Sequence, residues 1–424
     1  MIYSKLSEEK SCFTETDLQK SVNSILDKLG ERKKVLVIPP DFTRYHSFAG
    51  IITQYAFEFY KEKLTDILPA LGTHAPMSED ELIKMFRNIP KELFQVHDWR
   101  KDLVTLGEVP SDYISEISEG KVDFSWPAQT NKLLVNGGYD LILSIGQVVP
   151  HEVIGMANYN KNIFVGVGGV EGINKSHYLG AVYGMERIMG RADNPVRQMM
   201  NYATDHFTKE IPIVYIQTVV GKDNSGKLGV KGIFASEDSD CFYEAAELSL
   251  KENFIMLDKP LKKVVVYLDP DEFKSTWLGN KSIYRTRMAI ADKGELIVIA
   301  PGVKEFGEDK GIDALIRKYG YVGTDMVLKL VNDNDDLKNN LSAAAHLIHG
   351  SSENRFSITY CPEKLMKQEI ENVNFKYISF NEIIQKYNPD NLKDGVNILP
   401  DGEEIFYISN PALGLWASKE RFIN

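Results

Sequence analysis

Residues 141–177 read LILSIGQVVPHEVIGMANYNKNIFVGVGGVEGINKSH. Two apolar runs stand out, Leu141–Ile145 ending at Gly146, and Ile163–Val167 interrupted by Gly166. Runs this short and rich in β-branched residues read as buried strands. Each opens into a polar loop. Pro150 and His151 follow the first, and Gly168, Gly169 and Gly172 follow the second, with His177 beyond; Lys161 lies between the two runs. Each residue alone has an ordinary explanation. A single histidine is usually a surface or hydrogen-bonded core group, a lysine a solvated charge, a glycine cluster a tight turn. Their coincidence near the ends of apolar runs points to a ligand site, because open α/β sheets bind ligands at strand ends. The glycines are expected to let backbone come close to that ligand.

The same design recurs upstream. VLVIPP gives a strand over Val35–Ile38, stopped by Pro39 and Pro40, and then presents Asp41-Phe42-Thr43-Arg44 in a loop. Arginine offers a planar fork for carboxylate or phosphate; the plain alternative is an Asp–Arg surface pair. DILPALGT, residues 66–73, leads as a strand into Gly72, Thr73 and His74. Ser78 and Glu81 form a capping box, which starts a helix and places His74 in a strand-to-helix loop. Around these, residues 15–30 carry Leu18, Val22, Ile25 and Leu29 at helical spacing, and a second helix is expected near residues 50–63. His97-Asp98-Trp99 suggests no role. Asn194-Pro195 reads as a helix start, IPIVYIQTVV as a strand, and residues 236–256 as containing a helix.

LDKPLKK, residues 257–263, reads as a linker, and from Val264 the pattern restarts. Strands VVVYLD, ELIVIAP, RFSITYC, KYISF and IFYIS alternate with helices expected at 282–293, 308–319, 341–348, 362–371 and from Asn381. That alternation predicts a parallel three-layer sheet. Gly302 and Gly307 are wrongly spaced for a dinucleotide fingerprint. The expected architecture is α/β in two domains, residues 1–258 and a Rossmann-like 259–424, with the active site in a cleft between them.

Composition sets further bounds. A chain of 424 residues is too long for one ordinary core. With 43% hydrophobic and 26% charged residues it is a soluble globular type. Its net charge of −11 argues against nucleic-acid binding. It has no apolar stretch of membrane-spanning length and no signal-peptide core, so no membrane partner is expected. Cys12, Cys241 and Cys361 form neither a metal spacing nor a disulfide framework, which suits a reducing cytoplasm.

Together these residues resemble the lactate racemase family, whose members carry a nickel-pincer nucleotide. The resemblance rests on Asp41-Phe42-Thr43-Arg44, on Gly72-Thr73-His74-Ala75-Pro76-Met77, and on Pro150-His151 with Lys161 and His177 in order. It spans most of the first 200 residues and weakens after Val264. It implies that His74 and His151 are the paired acid/base residues. It implies that Lys161 holds the cofactor, pyridinium-3,5-bisthiocarboxylic acid mononucleotide nickel, through a thioamide. By the same resemblance His177 ligates nickel, and Asp41, Phe42, Thr43 and Arg44 contact the cofactor. Proteins that assemble and load the cofactor are implied partners. Two departures stand out. Gly155–Asn160 replaces a more glycine-rich run before the lysine. In the second domain Tyr284-Arg285-Thr286-Arg287-Met288 puts Arg285 where the family has Gln and Met288 where it has Lys. Arg44, Arg285 and Arg287 are then the candidate substrate cations, and a hydroxy acid larger or more acidic than lactate, such as a sugar acid, is expected.

The chemistry asks for such residues. The C2 hydrogen of a 2-hydroxy acid is far less acidic than imidazolium, whose pKa is about 6.5, so its removal as a proton is costly. Its removal as hydride needs an electrophile that no side chain supplies. The hydroxyl proton needs a near-neutral base, which histidine provides. Nickel accepts imidazole readily, so His177 with three donors from the pincer completes a square plane. Two other readings stay open at this level. One is a metal-dependent hydrolase or isomerase with His74, His151 and His177 as ordinary ligands. The other is a two-lobed sugar-acid or phosphate binding protein without turnover.

Overall fold

The computed structural model describes residues 1–422, which divide into two compact units. The first comprises Met1–Ser176 and Met189–Asn253; the second comprises His177–Ile188 and the chain from Phe254 onward.

The first unit is built on a mixed six-stranded sheet. Its strands are β1 (Tyr3–Leu6), β2 (Val35–Ile38), β3 (Leu64–Ile67), β6 (Leu141–Gln147), β9 (Ile213–Lys222) and β10 (Leu228–Ser236), in the order β1-β10-β9-β6-β2-β3. Strands β3, β2, β6 and β9 run parallel, and β10 and β1 close the far edge antiparallel. All four residues of VLVI are buried, as expected for a parallel strand covered on both faces. The helix Glu15–Leu29 starts where Thr14 accepts from the Asp17 amide. It packs Leu18, Val22, Ile25 and Leu26 into a core shared with Val35, Val37, Leu141, Leu143, Val214 and Ile216. Ile25 is fully buried; its truncation to Ala costs about 2–5 kcal/mol. Residues 90–140 contribute a separate antiparallel pair, β4 (Leu103–Val109) with β5 (Trp126–Asn131). The short hairpin β7 (Pro150–His151) with β8 (Gly155–Met156) follows β6.

The second unit repeats the theme. Its sheet contains β12 (Leu261–Tyr267), β13 (Ile290–Ala300), β14 (Ser357–Pro362), β15 (Lys376–Tyr377), β16 (Gly395–Ile398) and β17 (Glu404–Ile408), in the order β15-β14-β13-β12-β17-β16. It is parallel except for β16. The mixed α/β class with parallel sheets is as the sequence pattern predicts. No helix among the described residues is long and apolar enough to cross a membrane.

Three local expectations are corrected. Ile163–Val167 is not a strand: Asn162–Gly166 forms a π-helical turn that runs on into the helix Val170–Tyr183. The apolar run is buried as expected, but Asn162 hydrogen-bonds the Ile38 carbonyl and Ser144 Oγ, which fixes the chain in a turn there. Residues 257–263 are no open linker. β11 (Phe254–Leu257) pairs with β18 (Leu415–Ser418), and β12 begins at Leu261. Residues 282–293 form only the short helix Lys281–Tyr284, and β13 has begun by Ile290.

Candidate active site

In the first sheet, β3 lies on one side of β2 and β6 on the other. Chain order reverses direction between β2 and β6, which makes their carboxyl ends a topological switch point, where open α/β sheets bind ligands. Three loops leave these neighbouring strand ends. β2 delivers Asp41–Arg44, β3 delivers His74, and β6 delivers His151.

The β2 loop is a 3₁₀ turn over Phe42–Ser47. Asp41 is buried and accepts two hydrogen bonds, from His74 Nδ1 at 2.6 Å and from Thr43 Oγ1 at 2.5 Å. Burial pulls its carboxyl pKa upward, but the His74 bond, the His74 and Arg44 charges and the Thr43 bond outweigh this, and the net shift is downward. Asp41 is therefore an anion at neutral pH, and its partner nitrogen on His74 carries a hydrogen. That leaves Nε2 of His74 as the basic nitrogen. Arg44 is half-buried in the same turn, and Phe42 packs its ring 5.4 Å from that of Tyr45.

His151 is set the other way. It is buried, and its Nδ1 accepts from the Val153 amide at 3.1 Å, with Glu152 Oε2 at 3.7 Å. A ring that accepts at Nδ1 in its neutral form holds its proton on Nε2. The two histidines thus present opposite tautomers.

Lys161 precedes the π-helical turn. The next residue, Asn162, straps the ends of β2 and β6 together through Ile38 and Ser144, which are register partners. Lys161 is consequently fixed beside the switch point. It keeps some exposed surface, but its ammonium is densely surrounded by protein. Desolvation, followed by the repulsion of Arg44, holds its pKa down at about 8, against the attraction of Glu152 and Asp41. A sizeable fraction of the amine is then neutral, and nucleophilic, near physiological pH.

His177 does not lie in a glycine-rich loop. It is half-buried within the helix Val170–Tyr183, at the point where the chain passes into the second unit. The glycines before that helix serve protein packing. A Cβ on Gly166 would strike the side chain of Ala70, and one on Gly168 the Phe164 carbonyl. His97 is structural: it bonds the Gly168 carbonyl and Asn131.

Arg285 and Arg287 of the second unit are buried. Arg285 donates to the Gly414 carbonyl at 3.3 Å. Arg287 donates through Nε to Glu186 at 3.1 Å and through NH1 to the Ser351 carbonyl. Arg355 joins the same Glu186.

The site also contains residues that the sequence reading passed over, Asn158, Arg197 and Gln217. Gln217 on β9 is the register partner of Gly146 on β6, and a Cβ on Gly146 would collide with the Asn158 side-chain amide. Asn158 Nδ2 and both polar atoms of the Gln217 side chain are buried without a hydrogen-bond partner among the described residues. Buried polar atoms of this kind ordinarily find a partner. These unpartnered donors and acceptors, with the half-buried Arg44, suit a polar, anionic group. Among the described residues no group of three His, Cys, Asp or Glu side chains is placed to hold a metal ion.

The family model for the lactate racemase N-terminal domain matches residues 5–188. Among solved structures, the chain is similar to a protein from Thermotoga maritima, with 24% identity and a TM-score of 0.80, over 96% of this chain and 99% of that one. It is also similar to the lactate racemase apoprotein from Thermoanaerobacterium thermosaccharolyticum, with 17% identity and a TM-score of 0.68, over 96% of this chain and 90% of that one. At these identities the structural likeness is one of fold. Among curated proteins, none matches the chain.

Proposed function

We propose that this chain, whose residues 5–188 match the family model for the lactate racemase N-terminal domain, is a racemase or epimerase that inverts C2 of a 2-hydroxy acid. The observation that carries the reading is Lys161, an amine of lowered pKa fixed beside the switch point, with a histidine-bearing loop on each side of β2. When bound, the nickel-pincer nucleotide supplies the electrophile that accepts the C2 hydrogen with its electron pair. Lys161 is the residue proposed to hold it covalently, His177 to ligate the nickel, and Asp41, Phe42, Thr43 and Arg44 to line it.

The chain's own work is proton handling and charge placement. His74 takes the hydroxyl proton at Nε2, and buried Asp41 stabilises the imidazolium that results. His151 first takes a proton at Nδ1, exchanging the Val153 contact for Glu152, and the imidazolium then donates from Nε2 to the C2 oxygen and returns to the neutral ring. Arg44 is proposed for the substrate carboxylate. The departure from the family's Gln and Lys at Arg285 and Met288, with Arg287 between them, favours a more acidic or more hydroxylated substrate than lactate, such as a sugar acid or a dicarboxylic hydroxy acid. The free cysteines are compatible with a cytoplasmic protein.

The test is to co-express the chain with cofactor-assembly enzymes and nickel. Single enantiomers of lactate, malate, tartrate and several sugar acids are then incubated in deuterated water and followed by chiral chromatography and mass spectrometry. Interconversion without deuterium at C2 is expected, with an acid other than lactate preferred. Deuterium at C2, or no turnover of any of these acids by nickel-loaded protein, would sink the reading.

A further inference from the structure

The segment that delivers Lys161 is held in an unusual conformation. Asn158 and Tyr159 have φ of 67° and 58°, two consecutive left-handed residues and neither a glycine. Left-handed backbone at non-glycine residues is strained and persists only where surrounding structure enforces it. The helix Pro195–Phe207 does the enforcing. Asn194 caps it and also donates to the Ile154 carbonyl at 3.0 Å. Arg197, fully buried, donates through NH2 to the Met156 carbonyl at 2.7 Å and through both NH1 and NH2 to the Asn158 carbonyl at 3.3 Å. Its NH1 also bonds Asn160 Oδ1. Asn201 and Thr204 then accept from Asn160 Nδ2 at 2.8 and 3.1 Å. Asn194, Arg197, Asn201 and Thr204 are three, four and three residues apart, which puts them on one face of the helix.

Arg197 has no carboxylate among these partners. Its charge is met by carbonyl dipoles, and its guanidinium lies 4.1 Å from the Phe242 ring. Burying a guanidinium against backbone alone is costly. A glutamine or methionine would occupy the space with no buried charge, but only the planar fork reaches three acceptors on one strained turn.

We infer that Arg197 is a positioning residue for Lys161: by pinning the left-handed Asn158-Tyr159 turn it fixes where the Lys161 amine stands. The inference rests on the proposed role of Lys161 and deepens it. The charged groups facing that amine are Arg44 and Asp41 from the β2 loop, Glu152 from the β7–β8 hairpin, and Arg197 from the helix. Both the field they make and the desolvation of the amine depend on the turn keeping its shape.

The experiment uses the full-length protein without cofactor. Lysines are acetylated competitively with trace acetic anhydride across pH 6–11, and the Lys161 peptide is quantified by mass spectrometry against the exposed Lys101. In wild type the labelling midpoint is expected near 8. In Arg197→Lys and Arg197→Met the midpoint should rise by about one unit or more, so that labelling at pH 7 falls about tenfold. Arg197→Lys is the discriminating variant, because it keeps the charge and loses the fork. Folded variants in which the midpoint stays at the wild-type value would overturn the inference and leave Arg197 a structural residue. A shift in Arg197→Met but not in Arg197→Lys would also overturn it, in favour of a charge effect. If both variants fail to fold, Asn160→Ala removes one acceptor of the same clamp and should raise the midpoint by a smaller amount; an unchanged midpoint there counts against the inference. A wild-type midpoint near 10.5 would remove its basis. Absence of a Lys161 adduct from loaded protein would sink the functional reading while leaving these labelling results intact.

Discussion

His74 and His151 leave neighbouring ends of one sheet, on opposite sides of β2, and the protein treats them differently. His74 keeps part of its surface and gives its Nδ1 hydrogen to a buried carboxylate. His151 is buried and accepts a backbone amide at the same ring atom. In the proposed mechanism the first arrangement prepares a base and steadies its protonated form. The second, once protonated at Nδ1, would serve as the donor in that mechanism. Residue type and position in the fold thus set the possible chemistry, and the partner of the second ring nitrogen selects among the possibilities.

The comparison breaks most visibly on deletion of either ring. His74→Ala and His151→Ala should each lower interconversion by about 100- to 10,000-fold, measured by chiral chromatography, while the Lys161 adduct and nickel content stay unchanged. Given one enantiomer, the two variants should differ in which half-reaction survives. Loss of metal from both would support the ordinary-ligand alternative. Asp41→Asn is milder, since the ring remains but its tautomer is no longer fixed. About a 10- to 100-fold fall in kcat is expected, and a rate equal to wild type would remove the tautomer argument.

Stability against pH sharpens the contrast further. The folded pKa of Asp41 lies below its ordinary value of 3.8. Its stabilisation is therefore fully present above that value and is lost as pH falls through the lower folded one. Denaturant unfolding should show a shallower acid limb in Asp41→Asn than in wild type below pH 4. Lys161 has the opposite sign of effect. Its folded pKa of about 8 lies below the ordinary 10.5, so the unfolded chain binds the proton more tightly, and burying the amine costs stability at neutral pH. Lys161→Met should be more stable than wild type at pH 7, with the difference shrinking as pH rises from 8 toward 10.5. A difference independent of pH would contradict the assigned environment.

Much of this site was legible because its signals are local. VLVI followed by two prolines ends a strand just ahead of Asp41, and Ser78 with Glu81 fixed the helix that follows His74. Asn194-Pro195 marked a helix start that the Arg197 amide confirms by bonding Asn194. What failed depended on distant partners. Ile163–Val167 has the composition of a strand, and Asn162 turns it by reaching back 124 residues to Ile38. Residues 257–263 read as a linker because β11 finds its partner, β18, near the other end of the chain. The clamp on Lys161 was missed for a different reason. The spacing of Asn194, Arg197, Asn201 and Thr204 was visible, but a polar helical face normally reads as solvated, and here it is turned inward on a loop.

The central claim is that the amine beside the switch point carries the cofactor. It is tested most directly by the mass of the Lys161 peptide from protein produced with nickel and the assembly enzymes, compared with the same peptide from protein produced without them. A mass increase confined to Lys161, co-purifying with nickel and abolished in Lys161→Met, is the predicted result. An unmodified Lys161 in protein that binds nickel and interconverts hydroxy-acid enantiomers would contradict it.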